Sequence, residues 1–355
     1  MESVASILRR NNGQGPGFES MRVLLALTVL LGHSYVVCYG DDSADTTIAV
    51  YPFFIAVLPM FFCMGGFLVA GSALRVKSFK TFVIFRLLRI VPAMAVEVFL
   101  SGIVLGGWMT TYPLSKYYTH PRFFEYFGNI IGDLRMTLPG VFENHPDVMV
   151  NTNLWTVPPE YCCCGIMAVI MICGLLEKRW DYAFLFLIAT AVIAFLLPEI
   201  NWGIKIYAMA DEYMISYGFF AGTVAFLFAE YIPINKYLFI LCAVLTYVFF
   251  SHFYMLFLGM LPVTYCTIYL GMMPIPRIPF LNKGDYSYGI YLYGYPIQQT
   301  IWHFFPFARS WLTLSLLAVP TTILFAMASW HIIEKRSLAL KRYFLQTPYM
   351  PYGDR

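Results

Sequence analysis

Apolar residues in this chain come in long runs separated by short polar connectors, rather than in the one-on, one-off alternation of half-buried strands. Ten runs approach the roughly 20 residues needed to cross a bilayer core. They cover residues 20–39, 52–73, 84–108, 155–176, 182–198, 213–229, 235–250, 253–272, 286–305 and 310–332. Each predicts a helix, and the turn at Ser251-His252 between the seventh and eighth is very short. The expected fold is all-α: a polytopic integral membrane protein of about ten transmembrane helices around a polar passage. The connectors are too short for an appended soluble domain, so residues 1–355 are expected to form one transmembrane domain.

Composition agrees with this pattern. Hydrophobic residues make up 59% of the chain and charged residues only 12%, against about a quarter charged in soluble domains. A net charge of +3 gives no reason to expect a nucleic-acid partner. Basic residues recur on one side of the runs: Arg9 and Arg10, Arg75 to Lys80, Lys178 and Arg179, Lys236, Arg277 and Lys283, and Lys335 to Arg342. Asp41, Asp42, Asp45 and the long segment 109–154 fall on the other side. The positive-inside rule then places both termini in the cytoplasm. The first run follows Arg9 and Arg10 as in a signal peptide. It begins late, is long, contains Arg22 and His33 and lacks a small-x-small cleavage site, so it reads as a retained span. Most of the eight cysteines lie in apolar runs, and three consecutive positions on a helix diverge, so Cys162, Cys163 and Cys164 imply packing and no metal site.

Three polar constellations interrupt the apolar background. Arg22 and His33 are eleven residues apart, three helical turns plus about 20°, and so share a face about 16 Å apart along the axis. Ionisable groups at membrane depth face a bundle interior or cavity by default. Arg22 also fits an interfacial snorkelling role, and His33 an interhelical hydrogen bond. Arg86 and Arg89 in "FRLLRIVP" are neighbours on one face and suit an anion clamp or a cytoplasmic anchor. The stretch "LPGVFENHPDVMVNTNLWTVPPEY" (138–161) is densely polar just before a span. Its Trp155 fits an interface anchor. Its Glu160 follows Pro158-Pro159 and reads either as a helix-start carboxylate or as an acid acting on His33 or a substrate hydroxyl. His120 and His145 read as solvated. The aromatics of 109–154 suit stacking on sugar rings or interfacial anchoring.

With these residues in view, the chain resembles the acyltransferase family 3 of multi-span O-acyltransferases, which modify surface polysaccharides and similar acceptors. "GFESMRVLLALTVLLGHS" resembles its arginine-x10-histidine opening, with Arg22 and His33. "FFCMGGFLVAGSALR" resembles the second-span pattern and "FRLLRIVPA" the RxxR motif, with Arg86 and Arg89. "LPGVFENHP" through "VNTNLWTVPPE" resembles the stretch that supplies Asn151, Trp155 and Glu160, and "YSYGIYLYGYPI" and "IEKRS" resemble the closing patterns. Gly65, Gly294 and Arg336 depart from it, standing where serine, histidine and proline are common.

The resemblance implies acetyl-CoA as co-substrate, no bound cofactor, a bacterial inner-membrane location and a glycan or lipid-linked glycan acceptor such as lipopolysaccharide O-antigen. It implies catalytic roles for His33 and Glu160, donor binding by Arg22, Arg86 and Arg89, and an acceptor or structural role for Asn151 and Trp155. A histidine titrating near neutral pH suits a general base acting on an acceptor hydroxyl. The competing classes are a proton-coupled transporter, which accounts for Arg22 and His33 but not for the joint RxxR and WT-x3-E patterns, and a non-catalytic scaffold.

Overall fold

The computed structural model describes residues 2–40, 49–196, 212–252, 255–276 and 284–344, with side chains 194–196 excepted. Asp41, Asp42, Asp45, Arg277 and Lys283, among the charges that orient the chain, lie outside the described residues. The described residues are mostly helical, and the β-pairing among them is an isolated bridge between Ser3 and Pro233.

Each apolar run contains a helix, numbered here in chain order after a short N-terminal helix, Val4–Arg10. They are α1 Phe18–Tyr39, α2 Tyr51–Val76, α3 Phe79–Phe99, α4 Val157–Ile172 and α5 Arg179–Leu196. Then come α6 Glu212–Leu227, α7 Lys236–Phe250, α8 Met260–Met272, α9 Ser287–Phe304 and α10 Trp311–Ser329. Local chemistry sets several boundaries. Ser78, Asn235 and Ser310 accept backbone N–H bonds as N-caps of α3, α7 and α10. Pro52 and Pro158 sit in the first turns of α2 and α4, where a missing N–H costs nothing. The eighth run is helical only from Met260, because 255–259 turn tightly, Met255 N–H bonding the His252 carbonyl and Gly259 N–H the Leu256 carbonyl.

Among the described residues, five helical stretches are long and apolar enough to cross a membrane: Phe18–Tyr39, Tyr51–Val76, Phe79–Met109, Thr152–Ile172 and Trp311–Phe344. α7 and α8 are apolar but shorter, at 15 and 13 residues. Two of the long stretches contain a π-turn. α3 continues through Leu100–Leu105 to Met109, and α10 through Trp330–Glu334 into a short helix, Lys335–Ala339.

The largest core lies between α2 and α6. A side chain at Gly66 would collide with the Phe219 carbonyl and one at Gly222 with the Cys63 carbonyl, so glycine lets the two backbones touch. Where lipid rather than water surrounds a helix pair, such close backbone packing drives association. Large apolar side chains on other faces, among them Phe184, Leu187, Ile240, Leu316 and Leu324, are exposed, as lipid-facing positions require. α9 packs between α1 and α10 and presents Tyr288, Tyr291 and Tyr295 inward.

Candidate active site

A cavity of about 200 Å³ opens among α1, α2, α3, α4, α6 and α9. Its polar lining is Arg22 from α1, Arg86 and Arg89 from α3, Thr156 just before α4, Glu160 and Cys164 from α4, and Ser287, Tyr288 and Tyr291 from α9. Phe61, Phe62 and Leu68 of α2 supply much of its apolar wall. Four sequence-predicted site residues, Arg22, Arg86, Arg89 and Glu160, thus meet from three helices. His33, Asn151 and Trp155 do not line it.

The three arginines differ in what holds them. Arg22 Nη1 lies 2.8 Å from Asp285 Oδ2, and Arg89 Nη2 lies 2.7 Å from the same oxygen. Arg89 Nη1 also reaches Glu334 Oε2 at 3.2 Å. Asp285 sits just before α9, outside the apolar run. Burial alone would raise its carboxyl, but Arg89 and Arg22, with Ser287 Oγ donating at 2.6 Å, hold it well below the usual carboxylate range. Glu334 in the π-turn after α10 is 2% exposed and accepts from Ser329. Arg22 and Arg89 are therefore compensated within the protein. Arg86, one turn before Arg89, makes no hydrogen bond or ion pair among the described residues, and its buried Nε has no partner. Its guanidinium lies 5.9 Å from the Phe82 ring centre. Glu160 lies within electrostatic reach of Arg86 and Arg89 without forming an ion pair. Lys341, carried past α10, stands over the Phe85 ring at 5.1 Å and also feels Arg86 and Arg89. Ser337 donating to the Leu88 carbonyl at 2.8 Å fastens that segment to α3.

His33 lies further along α1, 2% exposed, its ring edge-on to Tyr295 at 5.1 Å between centres. Neither ring nitrogen has a hydrogen-bond partner among the described residues, so Glu160 does not orient it through a direct bond. The Tyr295 hydroxyl donates to Asp147 of the long loop. Gln299, one turn on from Tyr295, donates to the Asp147 and Met149 carbonyls at 2.8 Å each. Its Oε1 meets His145 Nδ1 at 2.8 Å, and His145 Nε2 meets His303 Nδ1 at 3.0 Å. His145, expected to be solvated, is therefore buried and bonded, because α9 offers it two polar partners. Burial lowers its pKa, aided by nearby His303 and Arg309, against the Gln299 bond. Burial raises the Asp147 carboxyl, despite the bonds from Tyr295 and the Met149 N–H. His120 caps the helix Pro121–Glu125, its Nδ1 accepting from Arg122 N–H.

Asn151 is fully buried, and its Nδ2 donates to Glu97 Oε1 and to the Leu292 carbonyl at 2.9 Å each. Trp155 is half-buried against the α2–α6 core. Gly65 leaves the cavity wall without a polar side chain there, and a side chain at Gly294 would press on Leu30. Cys162, Cys163 and Cys164 are exposed, buried and intermediate, as divergent helix positions require. The sequence reading missed Asp285, Glu334, Glu97 and Tyr295. The first two lay in view, beside "YSYGIYLYGYPI" and inside "IEKRS", where an acid bordering an apolar run calls for a basic partner.

No solved structure matches the chain. Over 354 residues, spanning 90% of this chain and 95% of the relative, it is 25% identical to a protein of Shigella phage Sf6 named O-acetyl transferase. The family described as an acyltransferase domain matches residues 16–331. Because that match takes in every helix that lines the cavity, the chain belongs to acyltransferase family 3.

Proposed function

We propose that this protein is a membrane O-acetyltransferase that moves an acetyl group from cytoplasmic acetyl-CoA to a hydroxyl of a cell-envelope glycan such as lipopolysaccharide O-antigen. Ten spans in a bacterial inner membrane, with both termini cytoplasmic, put the Arg22 end of the cavity on the donor's side. The observation that carries the reading is Arg86, a guanidinium with no ion pair or hydrogen bond among the described residues, in a cavity whose other two arginines are already paired. An anionic ligand supplies the missing charge, and a guanidinium suits phosphate oxygens. Arg86 and Lys341 hold the nucleotide phosphates of the donor, while Arg22 and Arg89, fixed by Asp285 and Glu334, shape the wall. The narrow pantetheine arm then runs along α1, where the distance from Arg22 to His33 is about 16 Å.

At the far end His33, with both nitrogens unengaged, takes the proton of the acceptor hydroxyl. The hydroxyl oxygen bonds to the thioester carbonyl carbon, the carbon–sulfur bond breaks, and the proton passes to the departing CoA thiolate. Glu160 contacts the incoming substrate from the cavity wall rather than His33. The likeness to a phage protein named O-acetyl transferase supports the choice of acyl group and reaction. The test is acetyl-CoA turnover by purified protein in detergent, wild type beside His33→Ala and Arg86→Ala. Release of CoA that depends on both residues is expected. Folded wild-type protein that neither binds nor cleaves acetyl-CoA overturns the reading and favours a proton-coupled transporter with Arg22 and His33 on its ion path.

A further inference from the structure

One buried acid takes no part in the mechanism above. Glu97, near the end of α3, is 1% exposed. A single oxygen, Oε1, accepts from Ser101 Oγ at 2.7 Å and from Asn151 Nδ2 at 2.9 Å, and Glu97 forms no ion pair among the described residues. Ser101 belongs to the π-turn Leu100–Leu105, which the fully buried Tyr117 braces by donating to the Gly102 carbonyl at 2.6 Å. π-turns inside helices recur at functional sites because they re-aim side chains without ending the helix.

What Glu97 holds is the entrance to α4. Asn151 is gripped from two sides, by Glu97 and by the Leu292 carbonyl of α9. With Nδ2 so committed, its Oδ1 faces back and accepts from Asn153 N–H at 3.2 Å, capping the turn Thr152–Thr156. Asn153 then donates to the Tyr291 carbonyl, and Thr156 Oγ1 meets the Tyr291 hydroxyl at 2.8 Å. α4 starts at the next residue, with Glu160 in its first turn and on the cavity wall. Rotating this short turn swings Glu160 about the α4 axis.

We propose that Glu97 is a positioning residue: by accepting from Asn151 it fixes the turn Thr152–Thr156, and with it the angle at which α4 presents Glu160 to the cavity. The inference rests on the reading of Glu160 as part of the acyl-transfer site. Both bonds to Glu97 need an acceptor oxygen and not a charge, so a carboxamide serves as well. Misplacement by about an ångström of a group that orients substrate costs on the order of 10²-fold in rate.

The experiment compares full-length wild type, Glu97→Gln, Glu97→Leu and Asn151→Ala in detergent, by acetyl-CoA turnover and by deuterium exchange of peptides covering 151–160. Glu97→Gln is expected within about twofold of wild-type kcat. Glu97→Leu and Asn151→Ala are each expected to lose about 10²-fold in kcat with KM for acetyl-CoA nearly unchanged, and to exchange faster across 151–160. A folded Glu97→Gln as inactive as Glu97→Leu overturns the proposal, since charge rather than hydrogen-bond acceptance then matters. So does a folded Glu97→Leu with wild-type kcat. If Glu97→Leu does not fold, Glu97→Gln and Asn151→Ala decide by the same criteria. If wild type does not turn over acetyl-CoA, the functional reading fails separately, and wild-type protection of 151–160 in a folded Asn151→Ala still overturns the positioning role.

Discussion

The two polar ends of α1 are held by different physics. At Arg22, charge is matched to charge: Asp285 binds Arg22 and Arg89, and Glu334 binds Arg89 again. At His33 no ion pair is present among the described residues. The ring lies against Tyr295, and the adjoining loop hangs on α9 through Tyr295, Gln299 and His145. Partly buried ions become unfavourable when a partner is lost, whereas a network of hydrogen bonds and rings yields one bond at a time. Each end leaves something over. The arginine end leaves one guanidinium, Arg86, and the histidine end leaves two imidazole nitrogens. A donor carrying phosphates and an acceptor carrying a hydroxyl call for those two remainders.

The contrast is broken most forcefully at Asp285. Asp285→Asn strands Arg22 and leaves Arg89 with Glu334 alone; both side chains are partly exposed, so the loss is expected below that of a fully buried pair, about 2–3 kcal/mol. It is read as a lower melting temperature of the detergent-solubilised protein. Glu230→Gln, which removes the solvent-exposed partner of Arg9, is the control and should leave melting nearly unchanged. Equal melting of the two variants would erase the distinction between paired and unpaired charge on which the site rests.

A finer cut separates the adjacent arginines. Arg86→Gln is expected to raise KM for acetyl-CoA about tenfold while melting close to wild type, since it breaks no internal ion pair. Arg89→Gln should do the reverse, losing stability first, because it leaves Asp285 and Glu334 short of a partner. Should both variants lose affinity and keep stability, the arginines act as one clamp after all.

The smallest effect is in acid. The His145 pKa is lowered by burial, so the unfolded chain takes up that proton first, and stability falls as pH drops below the ordinary imidazole value of about 6.5. Asp147, raised by burial, works in the opposite sense as it protonates. The Asp285 carboxyl is depressed, so its contribution is fully present above the ordinary carboxyl value of about 3.9 and is lost only as pH falls below that. Between these limits the loop is expected to loosen while the arginine end holds. Melting of wild type from pH 7 to 5 should therefore fall more than that of His145→Gln. Parallel curves for the two proteins would show that His145 does not set the acid sensitivity.

Much of this was legible in one dimension. The ten apolar runs each hold a helix, because their length and lack of charge leave little alternative in lipid. Arg22, Arg86, Arg89 and Glu160 were found as polar interruptions of those runs, and they meet on one cavity. Periodicity put Arg86 and Arg89 on one face but could not say that, among the described residues, Arg89 is ion-paired and Arg86 is not. That depends on Asp285 and Glu334, which are 196 and 245 residues away from Arg89 in the chain. His145 was misread for the same reason: in its own loop it looks solvated, and only the approach of Gln299 and His303 buries and bonds it.

By itself, then, the sequence determined what water and lipid decide locally: where helices run, where their caps and prolines fall, and which few ionisable groups are costly enough in an apolar run to need a purpose. The tertiary structure decided how those costs are met. It chose which arginine is neutralised, which histidine keeps its nitrogens, and that Asn151, gripped by Glu97 and the Leu292 carbonyl, serves the turn before α4. Hydrogen bonds and ion pairs act over a few ångströms, so their partners are fixed by packing, and packing brings together residues that no sequence spacing relates.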